Sequence, residues 1–169
     1  MKIGLIQILK SSGSLRIKLI KLLDLFVGGI LALLIPAKRT DRLVPAKISR
    51  ILMIRPGGIG DTVFLLPILK MLKTMHPDWR IDILCENRNR EVFESQRQLL
   101  DSIHCYDNLL ITDLFRKPYD VVIDTEQWHY LSAVVAYFMK PKWTIGFATR
   151  PLRAKLLDVP VGYGVDAYE

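Results

Sequence analysis

Short apolar runs that alternate with helix-like segments constrain the fold of this 169-residue chain more than any other feature of its sequence. Five runs have the length and the continuous apolar character of strands buried in a parallel sheet: 51–54, 80–85, 103–106, 119–124 and 143–147. Helix-like segments lie between them at 61–75, 89–100 and 128–139. This alternation predicts an α/β fold, a Rossmann-like doubly wound parallel sheet with right-handed crossovers.

The charge of the chain changes at about the point where this alternation begins. Residues 1–50 carry ten basic and two acidic side chains, whereas residues 51–169 carry 14 basic and 15 acidic ones. Because the larger part is close to neutral, a DNA- or RNA-binding domain is not expected, and no nucleic-acid partner is predicted. We therefore predict a basic N-terminal arm and linker over 1–47 and one Rossmann-like domain over 48–169.

The arm contains an apolar segment, residues 22–35, in which Asp24 is the only charged side chain. As a helix these 14 residues rise about 21 Å, which is less than the roughly 30 Å hydrocarbon core of a bilayer. Polar and small residues line one side, and basic residues flank the segment. This pattern favours an amphipathic helix that holds residues 14–42 on an anionic membrane surface, at the inner face of the cytoplasmic membrane. A helix packed on the protein or a partner, and a spanning helix or uncleaved signal, are the alternatives.

A glycine-rich turn, Pro56-Gly57-Gly58-Ile59-Gly60-Asp61, follows the first predicted strand. In a doubly wound sheet this turn lies at the carboxyl edge, where ligands bind. Glycines let a ligand approach the backbone closely, and the helix that follows directs free N–H groups towards it. Asp61 is then either the N-cap of that helix or a general base for a substrate hydroxyl. A dinucleotide fingerprint is a weaker interpretation, because the third glycine is missing and Asp61 would lie beside the pyrophosphate.

The segment after the fourth predicted strand is expected at the same edge. Asp124, Gln127 and Trp128 could bind sugar hydroxyls and stack on a sugar ring, or could cap a helix and pack in the core. Arg150 and Arg153 could contact the phosphates of a ligand or remain solvated surface charges. The three histidines share no metal-ligand spacing with nearby carboxylates, so no metal site is predicted.

Residues 51–84, ILMIRPGGIGDTVFLLPILKMLKTMHPDWRIDIL, closely resemble the start of family nine of the glycosyltransferases, the bacterial heptosyltransferases of lipopolysaccharide core synthesis. Segments 119–128, YDVVIDTEQW, and 144–147, TIGF, are similar to later parts of that family. The resemblance, from about Ser49 to Tyr163, implies the N-terminal half of a GT-B fold, in which two Rossmann-like halves face each other across a cleft. It also implies that this half binds the acceptor, that a C-terminal half binds the nucleotide sugar, and that transfer inverts the anomeric carbon without an essential metal.

The resemblance implies roles for single residues as well. Asp61 matches the proposed catalytic base of the family, and Arg55 stands where the family has a basic residue at the strand end. The expected acceptor-binding residues are Arg55, Gly57, Gly58, Gly60, Asp124, Gln127 and Trp128. Gly57 and Gly58 occupy positions that often bear hydroxyls in the family, so the acceptor need not be the one that the best-known members use.

Family members are roughly twice as long as this chain. We therefore predict the acceptor-binding half of an inverting glycosyltransferase that uses a nucleotide-diphosphate sugar, with ADP-heptose as one candidate donor. The acceptor would be lipopolysaccharide or another cell-envelope glycan or lipid-linked saccharide, and no cofactor is expected. Without a C-terminal donor-binding half, which a separate chain could supply, we expect no activity. The alternatives are a stand-alone nucleotide-binding Rossmann module and a non-catalytic, membrane-associated truncation product.

Overall fold

The computed structural model describes residues 21–38, 45–107 and 112–162, and its centre is a six-stranded parallel sheet. The strands are β1 (Arg50–Arg55), β2 (Arg80–Cys85), β3 (Ser102–Cys105), β4 (Val121–Asp124), β5 (Trp143–Phe147) and β6 (Val159–Val161). Their order in the sheet is β3-β2-β1-β4-β5-β6, and every neighbouring pair is parallel. The prediction of a Rossmann-like α/β fold is confirmed. The strand order reverses between β1 and β4, which is where such sheets bind ligands.

The helices lie on both faces of this sheet. They are α1 (Gly29–Leu34), which continues a π-helical turn at Asp24–Gly28, α2 (Ile59–Met75), α3 (Asn87–Glu94), α4 (Thr112–Arg116), α5 (Tyr130–Phe138) and α6 (Pro151–Ala154). Two predicted helices are shorter than expected: α3 ends before a separate 3-10 turn at Arg97–Leu99, and α5 begins two residues late. The sequence pattern also missed β6, a three-residue edge strand, where Pro160 is tolerated because an edge leaves one side unpaired.

The core has one layer on each face, because successive side chains of a strand point to opposite sides. On the first face, Met53, Ile81 and Ile83 pack against Leu69 of α2 and Phe93 of α3. On the second face, β1, β2 and β4 pack against α5 through Leu52, Ile54, Leu84, Val122, Ala136 and Met139. The apolar strands β1 and β2 are thus buried on both sides, as expected for the centre of a parallel sheet, whereas β3 and β5 are only partly buried.

The described part of the N-terminal arm packs on the outside of the second face. Asp24 accepts hydrogen bonds from the backbone N–H groups of Tyr130 and Leu131, at 3.0 and 2.8 Å, and so caps α5. At Gly28 an added Cβ would lie 2.9 Å from the Tyr130 Cβ, so this contact requires glycine. A third buried cluster joins the arm to α5 and α6: Leu25, Ala32, Ile35, Tyr130, Ala133, Val134 and Leu156. The described members of the polar and small stripe, Asp24, Gly28 and Ala32, therefore face the domain.

No helix within the three described ranges is long and apolar enough to cross a membrane.

Candidate functional site

The glycine-rich turn connects the end of β1 to the start of α2 at the carboxyl edge of the sheet. Gly57 has a φ of +78°, in the region that favours glycine, and an added Cβ would lie 2.9 Å from the Arg88 Nη2. A Cβ on Gly58 would collide with the carboxylate of Asp61. Both glycines therefore clear space around the first turn of α2, whereas Gly60 faces open space.

Asp61 lies in the first turn of α2 with its side chain 62% exposed. The N-cap of α2 is Gly58, and no side chain caps this helix, so the capping interpretation of Asp61 is wrong. Instead, Arg55 Nη2 donates a 2.8 Å hydrogen bond to Asp61 Oδ2. No described residue donates to Asp61 Oδ1. One oxygen of this exposed carboxylate is therefore oriented by a cation, and the other can accept a hydrogen bond from a ligand.

Arg55 links the glycine-rich turn to the second segment of the edge. Its side chain is only 9% exposed, and its Nη1 donates a 2.8 Å hydrogen bond to the Thr125 carbonyl oxygen. The structure thus brings Asp61 and the segment after β4 together around one guanidinium. Because the guanidinium is planar and its N–H donors have fixed directions, this link is geometrically specific.

Asn89 is a residue that the sequence reasoning missed. Its buried side-chain amide donates to the carbonyl oxygens of Arg55 and Gly57, at 3.2 and 2.8 Å, and to Thr62 Oγ1 at 2.9 Å. Its Oδ1 accepts a 2.9 Å hydrogen bond from the Glu86 N–H at the start of α3. Asn89 therefore holds both ends of the glycine-rich turn. The one available signal was an asparagine four residues after the end of a strand, in the first turn of a helix.

Asp124 differs from the expected acceptor ligand because it is buried, with 1% of the residue exposed. Arg153 Nη2 donates a 2.6 Å hydrogen bond to Asp124 Oδ2. The fully buried Arg153 also donates to Ser132 Oγ and to the carbonyl oxygens of Glu126, His129 and Phe147. All five guanidinium N–H groups are thus used within the protein. The expectation that Asp124 contacts the acceptor is corrected: it holds Arg153, and Arg153 is neither a ligand contact nor a solvated charge.

Glu126 organises the rest of this segment. Its Oε1 accepts hydrogen bonds from the backbone N–H groups of Gln127 and Trp128, at 3.0 and 2.9 Å, and lies 3.2 Å from His129 Nδ1. Burial raises the pKa of Glu126, but the hydrogen bond and charge of His129 outweigh burial and lower it to about 2. Burial likewise lowers the pKa of His129, but Glu126 leaves it above its usual value. The two side chains therefore favour a carboxylate–imidazolium pair.

Gln127 and Trp128 remain at the surface of the edge. Gln127 is half-buried, and Trp128 is 40% exposed. The Arg150 guanidinium lies 5.9 Å from the Trp128 ring centroid and 5.2 Å from that of Tyr130. These rings carry a cation on one side and leave indole surface that a sugar ring could stack on. Within the described residues, no three His, Cys, Asp or Glu side chains cluster closely enough to hold a metal ion.

No protein-family model matches the chain, and no curated protein matches it. Among solved structures, E. coli heptosyltransferase WaaC with ADP is similar with a TM-score of 0.56 and 20% sequence identity, over 70% of this chain and 42% of that one. The glycosyl transferase family 9 structure from Veillonella parvula DSM 2008 has a TM-score of 0.49 and 16% identity, over 59% of this chain and 31% of that one.

The comparison with WaaC defines the class of fold. At 20% identity the similarity to WaaC establishes a shared fold, the same one that the sequence resemblance implies. The described domain is a Rossmann-like domain of the kind found in GT-B glycosyltransferases. The chain spans less than half the length of either solved protein.

Proposed function

We propose that this chain is the acceptor-binding half of an inverting glycosyltransferase, similar to the heptosyltransferases. The observation that carries the proposal is Asp61: an exposed carboxylate, oriented by the buried Arg55, at the edge where this fold binds ligands. A fold alone hosts many functions, so the proposal rests on this site.

The proposed reaction is a direct displacement. An acceptor hydroxyl donates its hydrogen bond to Asp61 Oδ1 while Arg55 holds Oδ2 at 2.8 Å. The hydroxyl oxygen attacks the anomeric carbon of the donor sugar as its proton passes to Asp61. The bond from that carbon to the nucleotide diphosphate breaks, and the electron pair leaves with the diphosphate. A positioned base of this kind contributes roughly 10²- to 10⁴-fold to rate.

The acceptor would lie between Asp61 and the segment after β4. Gly57, Gly58 and Gly60 let it approach the backbone, and Gln127 and Trp128 supply an amide and an exposed ring beside it. We propose a glycan or a lipid-linked saccharide of the cell envelope, lipopolysaccharide included, as the acceptor class. Asp124 would act on this site only through the segment that Arg153 holds.

The donor would be a nucleotide-diphosphate sugar. WaaC was solved with ADP, and an ADP-linked sugar such as ADP-heptose is accordingly the first donor to test. Because the described chain covers 42% of WaaC, we propose that a second, donor-binding half completes the enzyme, either in the same protein or in a separate chain. We further propose that the enzyme works at the inner face of the cytoplasmic membrane, with residues 14–42 as its anchor.

Activity of a completed enzyme tests this function. The chain is combined with the donor-binding half of a heptosyltransferase, and release of nucleotide diphosphate is measured with candidate acceptors. Asp61→Asn should lower kcat by roughly 10²- to 10⁴-fold. Asp78→Asn is the matched control, because Asp78 is also an exposed carboxylate but lies beyond the other end of α2. Equal activity of the two variants would remove Asp61 from the reaction.

Nucleotide binding separates this proposal from the alternatives. Calorimetry of the 169-residue chain alone should show no tight binding of ADP or other nucleotides. Tight binding would favour a stand-alone nucleotide-binding module instead. Turnover of a nucleotide sugar by this chain without any second half would contradict the assignment as an acceptor-binding half.

A further inference from the structure

Two helical segments turn apolar faces outward, and they lie on opposite sides of the sheet. The first, here called the arm face, consists of Leu23, Phe26, Val27, Ile30, Leu33 and Leu34. The second, here called the α2 face, consists of Ile59, Val63, Phe64, Ile68, Met71 and Met75. The arm packs outside α5 on one face of the sheet, whereas α2 packs on the other. A flat surface can therefore cover one of these faces but not both.

The arm face has a fixed orientation because the domain holds the opposite side of the same helix. Asp24 caps α5, Gly28 lies against Tyr130, and Ala32 is completely buried. At the other end of the segment, Lys155 Nζ donates to the carbonyl oxygens of Leu33 and Ile35, at 3.1 and 2.7 Å. A helix clamped along one side can present only its other side to lipid. It would therefore lie along a membrane surface rather than pass through it.

Charge distinguishes the two faces. The arm face belongs to residues 1–50, which have ten basic side chains against two acidic ones, whereas residues 51–169 have 14 against 15. One of the ten, Lys38, is paired with the buried Asp158 and does not add to the outer charge. The one acid inside the helical segment of the arm, Asp24, is buried as a cap and does not reach the outer surface. An apolar face in a strongly basic segment complements a surface that is apolar beneath anionic headgroups.

We propose that the arm face docks on an anionic phospholipid surface as a preassembled part of the domain, with the α2 face turned away from the lipid. The proposal refines the membrane location proposed above. Lipid binding requires no sugar transfer, so a failure here and a failure of the proposed function are separate results.

The same geometry sets the position of the candidate site relative to the lipid. Asp24 lies at the start of α5, directly after the segment that carries Trp128. At the far end of the arm, Lys38 Nζ binds Asp158 Oδ2 at 2.6 Å, and Asp158 accepts from the N–H of Thr144 at the start of β5. The arm thus runs from the carboxyl edge of the sheet to the opposite edge. Docking along it would place one side of the candidate site next to the headgroups.

Vesicle flotation with the full chain tests the proposal. The arm-face variant is Ile30→Glu with Leu34→Glu, and the matched control on the α2 face is Phe64→Glu with Met71→Glu. All four side chains are exposed, so both variants should fold, which circular dichroism verifies. The arm-face variant should bind phosphatidylglycerol-containing vesicles at least about tenfold more weakly than the unchanged chain, and the control should bind like it. Binding should also weaken as salt rises, because headgroup attraction is screened.

A second measurement does not depend on charged substitutions. Cys85 and Cys105 are buried, so a single introduced cysteine can be labelled selectively with an environment-sensitive dye. Dye at Leu34→Cys should shift to the blue on addition of anionic vesicles, and dye at Met71→Cys should not.

Three results would overturn the proposal. One is equal binding to pure phosphatidylcholine vesicles, which would remove the role of charge. Another is equal loss of binding in both double variants, which would remove the distinction between the two faces. The third is that the unchanged chain does not bind vesicles but forms a dimer in light scattering, and that the variant Ile30→Glu with Leu34→Glu is a monomer. That result would assign the arm face to a second copy of the chain.

Discussion

The two segments that meet at the carboxyl edge of the sheet, 56–61 and 124–129, use the same side chain for opposite purposes. Asp61 is 62% exposed and has one oxygen held by Arg55, whereas the Asp124 side chain is completely buried against Arg153. Asp61 follows β1 and Asp124 is the last residue of β4, and these two strands lie next to each other at the switch point of the sheet. An acidic residue at this position is therefore not a ligand contact by itself. Whether such a carboxylate can contact a ligand depends on whether another element of the fold covers it.

The cause of this difference lies in the neighbours of each segment. Glycines at 57 and 58 leave the Asp61 carboxylate uncovered. The side-chain amide of Asn89 fixes their turn by donating a hydrogen bond to the Gly57 carbonyl oxygen. The second segment is covered by α6, whose Arg153 donates three of its five hydrogen bonds to it, to Asp124, Glu126 and His129. The first segment is suited to chemistry and the second to support. Four predictions test this contrast.

The largest effect is expected at the buried ion pair of Arg153 and Asp124. Arg153→Met would leave the Asp124 charge unpaired in the core, so the free energy of unfolding should fall by about 3–5 kcal/mol. Arg150→Met is the matched control, because Arg150 is partly exposed and its guanidinium lies against the Trp128 and Tyr130 rings, and it should cost less than about 1 kcal/mol. Urea unfolding followed by circular dichroism measures both. A loss no greater for Arg153 than for Arg150 would contradict the assignment of Arg153 as the support of this segment.

The next effect is expected beneath the glycine-rich turn. Asn89→Leu keeps the volume but leaves the carbonyl oxygens of Arg55 and Gly57 without their buried donor, which should cost about 2–3 kcal/mol. Asn87→Ala, at an exposed position in the same helix, should cost under about 1 kcal/mol. The same urea titration measures the two variants. If they lose equal stability, Asn89 does not hold the turn.

A smaller effect, opposite in sign at two glycines, is expected within the turn. Gly57→Ala places a Cβ at positive φ and near Arg88, and should destabilise the protein by about 1–2 kcal/mol. Gly60→Ala meets open space inside a helix and should stabilise it by about 0.5 kcal/mol. Thermal unfolding of the pair measures the difference. Stabilisation of both would mean that the left-handed conformation at residue 57 is not required.

The smallest effect concerns pH and the Glu126–His129 pair. The pKa of His129 is raised in the folded state, so the stability that the pair contributes is complete below its unfolded value of about 6.5. That contribution is lost as pH rises through the raised value, and partial exposure keeps it below about 1 kcal/mol. The midpoint of thermal unfolding should therefore fall more between about pH 5.5 and 8.5 in the unchanged chain than in His129→Gln. Parallel curves for the two proteins would show that the pair does not titrate as a unit.

Local sequence was sufficient wherever a feature depends on neighbours in the chain. The apolar strand at Arg50–Arg55, the glycine-rich turn and the helix after it are consecutive residues, and each was predicted. The partners of Arg153 could not be found in this way. Asp124 precedes Arg153 by 29 residues, and nothing in either local sequence distinguishes a buried pair from two surface charges. The capping side chain of α5, Asp24, likewise lies 106 residues before Tyr130 in the chain.

The sequence by itself determined the α/β class, the position of the ligand edge and the presence of Asp61 on that edge, because periodicity and glycine placement are local properties. Only the tertiary structure decided which carboxylates are exposed, since burial depends on elements that arrive from elsewhere in the chain. It also decided which side of the arm faces outward. The amphipathic pattern allowed either side, and the hydrogen bonds from α5 to Asp24 turned the polar stripe inward and the apolar residues out.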